Sequence, residues 1–143
     1  MSTSDQSPTR LRIRKTTLGF LGAAIVLAVA GLIVGISDNP PGIILLYLSS
    51  LALVLAVTHG WKDPRRFGVL FLSCVVGFVV LVVIHNFSEV GADRISHMPV
   101  LAVALSAVSV ISFLLALFVC PWGCVVGAIG GIHAVDSRRR GEA

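Results

Sequence analysis

Four uncharged, almost wholly apolar stretches, at residues 18–36, 43–59, 67–85 and 99–119, alternate with short segments that hold nearly all the charge. None of the four contains Asp, Glu, Lys or Arg. A helix needs about 17 to 25 residues to cross the roughly 30 Å hydrocarbon core of a bilayer, so three stretches are long enough and the second is marginal, its flanks completing the span. In hydrocarbon the backbone has no water to bond, and only a helix or a closed barrel satisfies it internally. The runs are continuous rather than alternating, which selects the helix. The pattern therefore predicts an all-α integral membrane four-helix bundle, up-down-up-down, in residues 18–119. A basic tail at residues 1–17 precedes it. Residues 120–143 follow as a kinked or interfacial extension and a second basic tail.

The connections agree with that division. Ser37-Asp38-Asn39-Pro40-Pro41-Gly42 is dense in turn formers and predicts a tight hairpin between the first two helices. His59 to Arg66 is basic and carries Trp61, a residue suited to the head-group boundary. The third connection, from about His85 to Pro99, holds Glu89, Asp93 and Arg94. Two places resist a simple reading. Ala28-Val29-Ala30 before Gly31 resembles a small-residue cleavage site, but the apolar run continues to Ile36, beyond the usual end of a secretory signal. Pro121 to Val135 is too long to finish the fourth helix and too short for a fifth crossing. A break is expected near Pro121 and Trp122, because proline lacks the helical N–H.

Charge adds direction. Of eleven Lys and Arg residues, four precede the first stretch (Arg10, Arg12, Arg14, Lys15), three lie between the second and third (Lys62, Arg65, Arg66) and three follow the fourth (Arg138, Arg139, Arg140). Only Arg94 falls on the other side. Basic loops stay in the cytoplasm during insertion, so the pattern places both termini there and fixes four crossings. The formal net charge of +4 would suggest nucleic acid for a soluble chain. Beside apolar stretches it suggests orientation and attraction to anionic lipid, with no nucleic-acid partner. With 56% hydrophobic and 13% charged residues, against about 25% charged in soluble domains, lipid must cover much of the surface.

Candidate chemistry is sparse. Gly31 and Gly35, then Gly123, Gly127 and Gly131, recur at helical spacing and would let helices approach closely, within the chain or in a homo-oligomer. Ala102, Ser106, Ser109, Phe113 and Ala116 form a seam of mostly small residues. Cys120 and Cys124 bracket Pro-Trp-Gly, but their spacing is one residue longer than a thioredoxin-like pair; with Cys74 they read as structural thiols. His59 and His133 lie toward one face, His85 and His97 toward the other. They are the candidates for axial haem ligands, and His59, Cys120, Cys124 and His133 for a soft-metal site, although no spacing selects either. The expectation is no cofactor and no metal. His85-Asn86-Phe87-Ser88-Glu89 is the strongest polar feature, read first as helix-end capping and second as a shallow site for a small ligand or cation. No phosphate loop, zinc-protease helix or serine elbow occurs, so no catalytic residue and no enzyme are expected. No carboxylate lies in the first helix, which argues against proton-driven multidrug export.

The Asn-Pro-Pro-Gly turn after the first helix and the His-Asn pair ending the third give a layout that resembles small four-pass prokaryotic membrane proteins of unassigned function. The resemblance implies a bacterial or archaeal plasma or inner membrane and transfers no site residue. The expected function is a non-enzymatic scaffold or accessory subunit that binds lipid or another membrane protein. A homo-oligomeric pore or facilitator and a haem- or metal-binding redox protein are the alternatives. If the glycine face carries an oligomer, replacing Gly127 and Gly131 with Leu should dissociate it, as read by the mass of the detergent-solubilised particle.

Overall fold

A computed structural model describes residues 8–35, 39–95 and 97–141, with side chains from residue 14 onward. The described residues are all-α. Helices α1 (Pro8–Val34) and α2 (Pro40–Thr58) lie in one compact unit, Met1–Lys62. Helix α3 (Pro64–Arg94), helix α4 (Pro99–Leu114), a π-helical turn (Leu115–Val119) and helix α5 (Cys120–Gly141) lie in a second, Asp63–Ala143. Arg14–Val34, α2, α3 and the continuous run Pro99–Gly141 are each long and apolar enough to cross a membrane. The chain thus has the make-up of a multi-pass membrane protein.

The helices outrun the apolar stretches that announce them. Helix α3 starts at Pro64 and ends at Arg94, not at 67 and 85, and α1 starts at Pro8 rather than at 18. Hydrocarbon tolerates only the uncharged part, but a helix continues into water until something stops it. Proline supplies three of the starts, standing in the first turn of α2, α3 and α4, where its missing N–H is not needed. Asp63 reinforces the start of α3 by accepting the Arg65 N–H at 3.2 Å. Between α1 and α2, Gly35 takes φ of 91°, a left-handed conformation suited to glycine at a helix C-terminus. The Asn39 side chain donates to the Val34 carbonyl at 2.9 Å, satisfying one of the last acceptors of α1.

The expected break at Pro121 is replaced by the π turn just before it. The Cys120 N–H bonds to the Leu115 carbonyl, five residues back. A proline ring in a regular helix collides with the carbonyl four residues earlier, and an inserted residue widens the turn at that place. The chain remains helical through Gly141. Ser109, Ser112 and Ala116 are buried before and within the turn, and Cys120, Gly123 and Gly127 after it, so the enclosed face keeps the 3.6-residue repeat through the turn.

Glycine closes both units. In the first, a Cβ placed on Gly42 would overlap the Gly35 carbonyl, and one on Gly31 would lie 3.1 Å from the Gly42 carbonyl oxygen and 3.3 Å from Leu45 Cβ. Ser49 Oγ donates to the Ala24 carbonyl at 2.8 Å, two turns further along the same antiparallel contact. In the second, a Cβ on Gly123 would overlap Cys74 Sγ, and one on Gly127 would lie 2.9 Å from the Phe71 nitrogen and 3.0 Å from the Phe67 carbonyl oxygen. Gly130 faces the Phe67 ring, whereas a Cβ on Gly131 would stand 3.7 Å from Phe67 Cβ, an ordinary contact. The repeat of a helix face is 3.6 residues, so the third close approach falls at 130 rather than 131.

Arg138 Nη2 meets Asp63 Oδ1 at 3.1 Å, tying the end of α5 to the start of α3. Both side chains are about half exposed, and such a pair contributes less than about 1 kcal/mol. The glycine contacts matter more. Gly127→Ala should destabilise the second unit by about 1 to 3 kcal/mol, as overpacking against a backbone does. Gly68→Ala, with nothing within 4 Å of its Cβ, should be neutral; unfolding in mixed detergent checks both. The same geometry means that Gly127→Leu breaks the chain's own α3 contact, so loss of an oligomer in that variant would not identify an oligomer face.

Candidate functional site

The densest polar constellation among the described residues joins α3 to α4. His85 Nδ1 lies 2.7 Å from Ser109 Oγ and 3.1 Å from the Ser109 carbonyl oxygen. Ser109 Oγ also reaches the His85 carbonyl at 3.4 Å. On the other side of the ring, Nε2 stands 3.6 Å from Glu89 Oε2, one turn along α3. The Phe113 ring covers the imidazole at a centroid distance of 5.1 Å and an interplanar angle of 41°. Ser109 is only 5% exposed, His85 is partly enclosed, and Glu89 is open.

The Ser109 carbonyl can only accept, so it engages Nδ1 when that nitrogen carries the hydrogen; in the other tautomer the Ser109 hydroxyl donates to Nδ1 and Nε2–H faces Glu89. The neighbouring Asn86 side chain donates to the Val82 carbonyl at 2.7 Å, and Ser88 is buried. Thus His85-Asn86-Phe87-Ser88-Glu89 lies within a helix rather than at its end: α3 runs nine residues beyond His85. Its polar groups bond across to α4 and back along α3, instead of capping.

The other sequence candidates have surroundings of their own. His59, at the end of α2, packs its ring on Phe20 at 5.9 Å, with Nδ1 3.2 Å from the Leu55 and 3.1 Å from the Ala56 carbonyl oxygen, and Nε2 3.5 Å from Thr17 Oγ1. His97 is exposed in the turn between α3 and α4. His133 is exposed on α5, its carbonyl accepting from Ser137 at 2.9 Å. Cys74, Cys120 and Cys124 are free thiols, Cys74 lying against Gly123. Among the described residues no group of three or more His, Cys, Asp and Glu is placed to hold a metal ion.

The α4 seam takes a different phase from the expected one. Ser109 and Ala116 are enclosed as expected, Ala102 is half-buried and Phe113, although partly exposed, rests on His85 of α3, but Ser106 is exposed, and Leu105 and Ser112 join the enclosed side. Leu105 Cδ1 would contact a Cβ on Gly91 of α3 at 3.3 Å. Both 102-105-109-112-116 and 102-106-109-113-116 alternate threes and fours, and small residues occur in each, so periodicity alone does not choose. Gly42 and Gly130 are close-approach residues that the sequence pattern attributed to a turn or passed over. The signal for Gly130 was the 4-3 step from Gly123 and Gly127.

Ser109→Ala should remove an interhelical bond worth about 0.6 kcal/mol on average in membrane proteins and up to about 1.7 kcal/mol. Ser106→Ala, on the exposed side, should leave stability unchanged; paired unfolding measurements of the two variants check this.

Comparison with known protein families, with curated proteins and with solved structures gives no match.

Proposed function

We propose that this protein is a non-enzymatic scaffold or accessory subunit of a prokaryotic plasma or inner membrane, spanning it four times with both termini in the cytoplasm. The observation that carries the reading is the division of surface within each unit. Close-packing glycines face the neighbouring helix of the same unit, while long uncharged faces remain outward. Ile33 is 80% exposed, and Val26, Leu32, Val69, Leu72 and Val79 are all more than half exposed. Side chains of this kind demand lipid or the apolar face of another membrane protein. The basic residues at the helix ends favour anionic head groups on the same side. Ten of the eleven Lys and Arg, the four, three and three residues named above, support the cytoplasmic assignment of the termini.

Two measurements test the reading. A reporter active only outside the cytoplasm should be silent when fused after Arg140 and active when inserted beside Asn39 or His97; the reverse pattern overturns the orientation. Purification from native membranes in mild detergent should retain a membrane-protein partner in fixed stoichiometry. A partner-free oligomer that conducts in liposomes would replace this reading with a pore, and a Soret band in the absorption spectrum would replace it with a haem protein.

A further inference from the structure

We infer that the C-terminal part of α5 binds one anionic glycerophospholipid, with an acyl chain against Ile129 and Ile132 and the phosphate at Arg139. The inference rests on the membrane-spanning reading of the helices and is independent of the scaffold role. Ile129, Ile132, His133, Val135, Asp136 and Arg139 line an open depression of about 770 Å³ on this helix. Steps of three, four and three residues join 129, 132, 136 and 139, which places them on one helix face. Gly123, Gly127 and Gly130, the residues that approach α3, lie on the opposite face. Ile129 is 64% and Ile132 72% exposed, so packing does not cover them.

The depth of the depression suits such a ligand. Phe67 directly follows the basic pair Arg65 and Arg66, and its ring faces Gly130. The edge of the hydrocarbon on α5 therefore lies near Gly130, with Ile129 and Ile132 on either side of it. The head-group layer extends roughly 5 to 8 Å beyond that edge. Asp136 is six residues past Gly130, a rise of about 9 Å at 1.5 Å per residue. Arg139 starts about one turn further out, but helical side chains lean toward the N-terminus, and its side chain lines the same depression as Ile132. Apolar wall and guanidinium thus follow one another in the order in which a phospholipid presents chain and phosphate.

Charge selects the head group. Two of the three arginines near the end of α5 already hold carboxylates: Arg138 Nη2 meets Asp63 Oδ1 at 3.1 Å and Arg140 Nη2 meets Asp136 Oδ2 at 2.9 Å. Arg139 has no ion pair or hydrogen bond among the described residues, and it is the one of the three that lines the depression. Asp136 is matched by Arg140, which leaves the Arg139 guanidinium as the fixed charge of the wall. Its planar donors fit the two free oxygens of a phosphodiester. A zwitterionic lipid would bring its own cation beside that guanidinium, and a free anion would leave the isoleucines uncovered.

The test is native mass spectrometry of the full-length protein in mild detergent, titrated with phosphatidylglycerol and with phosphatidylcholine of the same chains. One phosphatidylglycerol should bind about fivefold tighter or more, the effect of a single basic side chain near head groups. Arg139→Gln should erase that preference, whereas Arg66→Gln, on α3 and outside the depression, should keep it. Both residues are exposed, so neither variant disturbs packing. Equal losses in the two variants mean diffuse attraction to a basic surface and overturn the site. So does equal binding of both lipids by the wild-type protein, or a lipid-free dimer, which would give this face to a second copy of the chain. Glycerol 3-phosphate at the same concentration should leave the lipid bound; displacement removes the apolar half of the site. Reconstitution into nanodiscs of phosphatidylcholine alone separates the two readings. A chain that enters them and shows no lipid preference loses only the site, and one that does not enter loses the membrane reading and the site with it.

Discussion

Close approach of helix backbones is the constraint on which everything else in this molecule depends. In lipid there is little hydrophobic force to join two apolar helices, because the tails outside are as apolar as the side chains within. Contact has to come from van der Waals fit and from polar bonds that need short distances. Glycine makes both possible. The Gly31–Gly42 approach lets Ser49 reach the Ala24 carbonyl, and the Gly123–Gly127–Gly130 face lies against Cys74, Phe71 and Phe67. Side chains larger than hydrogen at Gly42 or Gly127 would meet backbone atoms, which have nowhere to move without displacing a whole helix.

The long run from Pro99 meets the same constraint. A glycine face serves α3 only if it points there, and Ser109 and Gly127, 18 residues apart, lie on one face at 3.6 residues per turn. The π turn Leu115–Val119 lies immediately before Pro121, where the helix would in any case be disturbed. This local distortion accommodates the proline, and Cys120, Gly123 and Gly127 continue the enclosed side beyond it. The result is a single helical run, Pro99–Gly141, whose two ends meet different parts of α3: Leu105 near Gly91, Arg138 at Asp63.

Toward the C-terminal end of α3 a polar contact takes over from glycine. His85 Nδ1 stands 2.7 Å from Ser109 Oγ and joins α3 to α4, while Nε2 stands 3.6 Å from the carboxylate of Glu89, which is exposed. One nitrogen holds the helix pair, and the other faces a group that reaches the surface.

The sequence by itself determined the class and the division of the chain. Continuous uncharged runs of the right length select helices for a backbone in lipid, and the clustering of Arg10 to Lys15, Lys62 to Arg66 and Arg138 to Arg140 is the basis of the proposed orientation. It also singled out Gly31, Gly123, Gly127, His85 and Ser109. The tertiary structure decided which residues meet. Helix ends outside the hydrocarbon are set by prolines and caps rather than by hydropathy, so α1 and α3 run past their apolar cores. That Leu105 and Ser112 join the enclosed side while Ser106 turns outward depends on the rotation of α4, to which a stripe of small residues on two adjacent faces is blind. His85 and Ser109 are 24 positions apart, and nothing local links them. Their pairing follows from the antiparallel register of α3 with the run Pro99–Gly141, which Leu105 at Gly91, Gly123 at Cys74 and Arg138 at Asp63 mark along its length.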